Sequence, residues 1–194
     1  MLGLFALLAL AASASDPSEI SEADAIACRL SVPDYNRFAL AVDGPDGIAQ
    51  ARGWKEVASP NLFLREYALP AEIEVAGYRT RRIAFTSDSI LAILDVADPA
   101  TIARGENVRN AMDPAPLLKS LSPEDARRAQ AEIKFRKFLG ERVVKEVTEQ
   151  PEGETFGTHM TVARSISNAS THPGKTLYGC SYRMEILGKD GKPL

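Results

Sequence analysis

The sequence predicts an α+β fold: antiparallel strands packed with an N-terminal helix and a central helical segment, ending in a C-terminal three-stranded antiparallel unit. Three observations predict it. Most strand-like runs are joined by links of hairpin length, which imply antiparallel pairing. The helix signals are segregated from the strand groups instead of alternating with them, which argues against a parallel βαβ sheet. The last third of the chain alternates apolar and polar residues at a period of two over long stretches.

The elements follow in order. Asp16-Pro17-Ser18-Glu19 is a helix start: Asp16 caps, Pro17 suits the first position, and Glu19 completes a capping box. Ile20, Ala23, Ala27 and Leu30 then share one helical face, with Cys28 near its end and Pro33 as the expected limit. Phe38 to Val42 reads as a short buried strand, and Asp43-Gly44-Pro45-Asp46-Gly47 as a turn. Trp54 to Val57 and Asn61 to Leu69 read as strands, with Trp54 the largest core candidate. Glu72 to Val75 alternates, Ala76-Gly77 turns, and Tyr78 to Phe85 returns as its partner. Thr86 to Ser89 turns again into the apolar strand Ile90 to Leu94.

Asp98-Pro99 opens a short helix through Arg104, and residues 105 to 121 read as irregular. Ser122-Pro123-Glu124-Asp125 starts another helix, with Ala126, Ala129, Ile133 and Phe138 on its buried face. Three strands close the chain: Arg142 to Thr148, Phe156 to Ser167, and Thr176 to Leu187. In the second, Phe156, Met160, Val162 and Ile166 point one way, and His159, Thr161, Ser165 and Ser167 the other. In the third, Tyr178, Cys180, Tyr182, Met184 and Ile186 share the apolar face.

The first residues, Met1 to Ala14, carry no charge, and Ala12-Ser13-Ala14 offers the small–x–small pattern that a signal peptidase accepts. The run is short for a membrane anchor: about 15 residues reach about 22 Å as a helix, against about 30 Å of hydrocarbon. It lacks the basic n-region of an ordinary signal. The expected organisation is a signal peptide over 1–14, one α+β domain over 15–187 and a polar tail over 188–194. The mature protein is expected to be exported, periplasmic or secreted, with no stable membrane anchor.

Net charge is −3, which offers little to nucleic acid or anionic lipid, so no nucleic-acid partner is expected. Arg79, Arg81 and Arg82, and likewise Arg127 and Arg128, read as solvated basic faces. The two cysteines, Cys28 and Cys180, form an even count that an oxidising compartment would join, pinning the first helix to the last strand. Neither lies in a CxxC pair.

The searched catalytic and cofactor motifs are absent. There is no HExxH, no GxSxG elbow, no SxxK, no GxGxxG or Walker loop, and no DxDxDG calcium loop. No metal site and no cofactor are expected. The remaining constellation lies on the last hairpin, where keeping the apolar faces together puts His159 opposite Arg183 or Glu185, beside Thr161 and Ser181. A His beside Glu can act as a general base and Arg can hold an anion, so His159, Glu185 and Arg183 are the catalytic candidates; the alternative is a polar sheet surface. His172, in a Pro-Gly loop, reads as a surface residue. Asp88, Asp95 and Asp98 read as turn and cap residues. Two functions follow: a non-enzymatic domain binding a small ligand or a protein, or a hydrolase-like enzyme using the His159/Glu185 face.

Overall fold

The computed structural model describes residues 16–132 and 138–194. The predicted signal peptide and Ile133 lie outside them. Seven strands form one antiparallel sheet, and helices lie before it and in its long crossover. This is the α+β fold read from the sequence.

The strands are β1 (Lys55–Val57), β2 (Arg65–Val75), β3 (Tyr78–Phe85), β4 (Ser89–Leu94), β5 (Leu139–Glu149), β6 (Gly157–Ser167) and β7 (Thr176–Leu187). Their spatial order is β1-β2-β3-β4-β7-β6-β5. Two meanders are therefore joined at one seam. The first runs β1 to β4 through the loop 58–64 and two tight turns. The second runs β5 to β7 and is the predicted C-terminal three-stranded unit. The seam pairs Ser89–Leu94 with Thr176–Ser181. Gly179 sits on it for a steric reason: a Cβ there would lie 2.0 Å from the Ile90 carbonyl oxygen.

The N-terminal helical region departs from the single helix expected. After a 3₁₀ turn at Pro17–Glu19 come α1 (Glu22–Ile26), α2 (Val32–Leu40) and α3 (Ile48–Ala51). Pro33 starts α2 instead of ending the previous helix. It occupies the first turn, where no intrahelical N–H is needed, and the Ser31 hydroxyl caps by accepting from the Asp34 amide. The run Phe38 to Val42, expected as a strand, is thus the end of α2 and the turn after it. Its apolarity belongs to a helical stripe: Val32, Tyr35 and Phe38 are the buried residues of α2. α1 stops where Cys28 adopts a left-handed φ of 61°.

Asn61–Leu64 is turn, not strand, and β2 begins at Arg65. The crossover holds α4 (Ala100–Gly105), α5 (Ala115–Lys119) and α6 (Pro123–Glu132), so the stretch 105–121 contains one short helix. The tail folds back on β7: Leu187 bridges Pro193, and the Leu194 amide donates to the Ile186 carbonyl over 3.0 Å.

The main core lies between α1–α2 and one face of the sheet. The end of α1 is docked three ways. Its Ala25 carbonyl accepts from the Tyr182 hydroxyl at 2.6 Å. Its Ile26 carbonyl accepts from the buried Arg164 guanidinium at 2.5 Å. Cys28, two residues on, is joined to Cys180 with Cα atoms 5.3 Å apart. The disulfide thus pins the first helix to the core face of the last strand, as expected. Arg164 also lies 4.3 Å over the Tyr178 ring. Phe156, Met184 and Ile186, expected on the apolar faces of their strands, are exposed beyond the cover of these helices. A second, smaller apolar cluster of Leu64, Ala84, Leu91, Ile93 and Leu177 occupies the opposite face.

Candidate ligand groove

A groove of about 1070 Å³ runs between α2 and the loop joining β1 to β2. Helical periodicity sends Tyr35 and Phe38 inward and leaves Asn36 and Leu40 on the outer side of α2. The opposite wall is the loop 58–64, which a chain of side-chain caps shapes. The Ser59 hydroxyl accepts from the Asn61 amide at 3.1 Å, and the Asn61 side-chain oxygen accepts from the Phe63 amide at 3.0 Å. This tight path turns Leu64 into the small second-face cluster and leaves Leu62 and Phe63 outside.

Exposure picks out this place. The three most exposed large apolar side chains among the described residues are Leu62 at 98%, Phe63 at 86% and Leu40 at 84%, and all three line this groove. Single exposed apolar residues are ordinary; several grouped around a concavity are the mark of a contact site. Asp43 lines the groove, accepting from the Tyr67 hydroxyl at 2.6 Å and pairing with Arg65. Tyr35 also lines it. Its ring stacks on Tyr182 with centroids 4.1 Å apart. Its buried hydroxyl has no hydrogen-bond partner among the described residues, and burial and the nearby Asp88 charge push its ionisation up.

A buried polar cluster anchors the loop at its base. The Glu66 side chain is fully buried on β2 and accepts from the Ser59 hydroxyl, from Arg82 and from His172 Nε2, the last at 2.8 Å. Burial would raise this carboxyl, but the hydrogen bonds from Ser59, Arg82 and His172, and the attraction of the His172 ring, outweigh it and hold it below the ordinary range. Thr171 Oγ1 lies 3.0 Å from His172 Nδ1. His172 is therefore buried, against the expectation of a surface residue: the 168–175 loop folds over the sheet and the Glu66 carboxylate takes its ring. Clefts of about 750 and 590 Å³ lie beside this loop. Arg82, read as part of a solvated basic face, likewise leaves that face through Glu66. Arg79 and Arg81 stay exposed, near Glu74 and Glu72.

The structure brings His159 opposite Glu185 and Thr161 opposite Arg183, within the register that the alternation predicts. The His159 ring nitrogens face hydroxyls instead: Nδ1 lies 2.9 Å from Thr148 Oγ1 and Nε2 lies 3.3 Å from Thr161 Oγ1. Arg183 pairs with Glu141 at 2.8 Å. Asp98 caps the turn into α4 through the Ala100 amide, Asp88 holds Thr86 and Ser89, and Asp95 pairs with Lys175.

Glu66, Ser59 and the Leu62–Phe63 tip carried no motif. The legible signal was Pro60-Asn61, a turn-forming pair at the start of the run Asn61 to Leu69 read as a strand. No protein-family model matches the chain, and comparison with curated proteins and with solved structures finds no similar one.

Proposed function

We propose that this chain is an exported, non-enzymatic binding domain whose α2 groove takes an apolar segment of a partner protein. The observation that carries the reading is the convergence of Leu40, Leu62 and Phe63, the three most exposed large apolar side chains, on one groove. Side chains this exposed stand on the rim, where a macromolecule covers them and a small molecule seated on the floor does not. Burying three such side chains contributes about 1.5–3 kcal/mol each before the costs of association. Charge favours a partner segment with a flanking Lys or Arg. Asp43 is matched by Arg65 and Glu66 by Arg82, while Glu56 on the groove wall has no ion pair among the described residues. Export is supported by the apolar start of the chain and by a disulfide that an oxidising compartment preserves.

A random peptide library displayed on phage and selected on the folded protein tests this. Enriched peptides are expected to carry spaced aliphatic or aromatic residues with a neighbouring Lys or Arg. Their binding should fall at least tenfold in a Leu40→Asp/Phe63→Asp variant whose thermal midpoint is unchanged. Enriched peptides that bind that variant equally well, or no enrichment while the dye 8-anilinonaphthalene-1-sulfonate binds the groove, would overturn the partner-segment reading; the second outcome supports a small ligand instead.

A further inference from the structure

β5 is an outermost strand of the sheet and runs for 11 residues. Its start is covered: the Ala111 amide donates to the Leu139 carbonyl at 2.8 Å, and the Arg109 carbonyl presses on Gly140. From the irregularity at Val144 onward, no described strand pairs with its outer side. An open edge is a template for another strand.

Residues 145–149 are regular, and their register assigns each to a face. Lys145, Val147 and Glu149 pair with Val162, Met160 and Thr158 and so share the face that carries the main core; Glu146 and Thr148 lie on the other. On that first face Val147, Met160 and Met184 form one cross-strand apolar row, running from the edge to the exposed Met184.

We propose that β5 is the interface of a homodimer, pairing antiparallel with β5 of a second copy so that Val147 faces Val147 of the partner subunit. The charge sequence selects this register. A two-fold perpendicular to the sheet keeps faces together, so directly opposed residues must differ by an even number of positions. Centring on Lys145 sets lysine against lysine, and centring on Glu146 sets glutamate against glutamate. Centring on Thr148 puts Val147 opposite Glu149 and leaves the charges unmatched. Centring on Val147 sets Lys145 opposite Glu149 twice and makes the apolar row continuous across both copies: Met184, Met160, Val147 and then the same three reversed. Opposite charges across a strand pair stabilise it, and like charges destabilise it. The groove lies at the far end of the sheet, beside β1, so this dimer and the groove reading stand or fall separately.

Sedimentation equilibrium on the full-length disulfide-bonded protein tests the proposal, with charge reversal as its control. The unaltered chain should sediment at twice its monomer mass. Lys145→Glu should weaken the dimer at least tenfold, and Lys145→Glu/Glu149→Lys should restore it. Val147→Cys, oxidised after folding, should cross-link to itself, whereas Lys145→Cys should not. A monomer at 100 micromolar concentration, a dimer indifferent to both charge variants, or cross-linking at 145 in place of 147 would each overturn it.

Discussion

His172 Nε2 lies 2.8 Å from Glu66 Oε1 across 106 residues of chain, so the β6–β7 loop of one meander is bonded to a strand of the other. Because the folded protein holds the Glu66 carboxyl below its ordinary value of 4.5, the unfolded state binds the proton more readily. The resulting stability is complete above that ordinary value and is lost as pH falls through the lower folded value. Glu66→Gln should cost about 2 kcal/mol at pH 7, typical of hydrogen bonds to a charged group. Urea midpoints at pH 7 and pH 3.5 check this. The wild type should lose more on acidification than the variant; equal losses would remove Glu66 from the account.

Gly179 and Gly105 should respond in opposite directions to alanine. At Gly179 the new Cβ meets the Ile90 carbonyl at 2.0 Å and the Leu91 Cα at 2.8 Å, so the seam must open; overpacking of this kind costs about 1–3 kcal/mol or more. At Gly105, the last residue of α4, a Cβ meets nothing within 4 Å. Alanine there should raise stability by about 0.5–1 kcal/mol through the unfolded chain's lost freedom. Thermal unfolding by circular dichroism separates the two.

Tyr35 and Tyr182 stack, yet their hydroxyls differ. Tyr182→Phe removes the donor to the Ala25 carbonyl, which keeps its bond from the Cys28 amide, so the loss is that of one ordinary hydrogen bond, about 0.5–1.5 kcal/mol. Tyr35→Phe removes a hydroxyl that has no partner among the described residues and should leave stability unchanged or slightly higher. If both variants lose equally in urea denaturation, the Tyr35 hydroxyl has a partner in solution.

Cys28→Ser/Cys180→Ser should lower stability by about 2–4 kcal/mol, because the bond closes a loop spanning 152 positions and restricts the unfolded chain. The loss should match that of the wild type unfolded under dithiothreitol. A variant as stable as the oxidised protein would show that Arg164 and Tyr182 dock α1 without help.

What was readable in the residues was what depends on local chemistry. The Thr176–Leu187 strand, the Ala76-Gly77 hairpin and the face shared by His159, Arg183 and Glu185 all follow from period-two alternation and turn residues, and all are present; of the two registers the alternation allows, the fold takes the one that sets His159 opposite Glu185. Cys28 and Cys180 were legible as a pair because they are the only two cysteines, one near the end of the first helix and one on the apolar face of the last strand. The errors came where one local signal serves two structures. Pro33 stops a helix from behind and starts one from within, and an apolar run such as Phe38 to Val42 fits a strand or a helix stripe. The buried cluster was not legible, because Glu66 and His172 become partners only once β4 and β7 have paired and the 168–175 loop has closed over them. A carboxylate in an unremarkable strand carries no mark of the arginine, serine and histidine that will surround it.

The position of the seam also governs the order in which the molecule can be completed. β4 is synthesised long before β7, its neighbour, and Cys28 long before Cys180. While the chain emerges, the first meander has one sheet edge bare and one thiol waiting. Nothing encoded before residue 176 can cover that edge, and nothing before residue 180 can close the bond. Both vacancies are filled by the last segment to arrive. Loss of that final segment would leave an unpaired strand edge and an unpaired thiol on the same fragment.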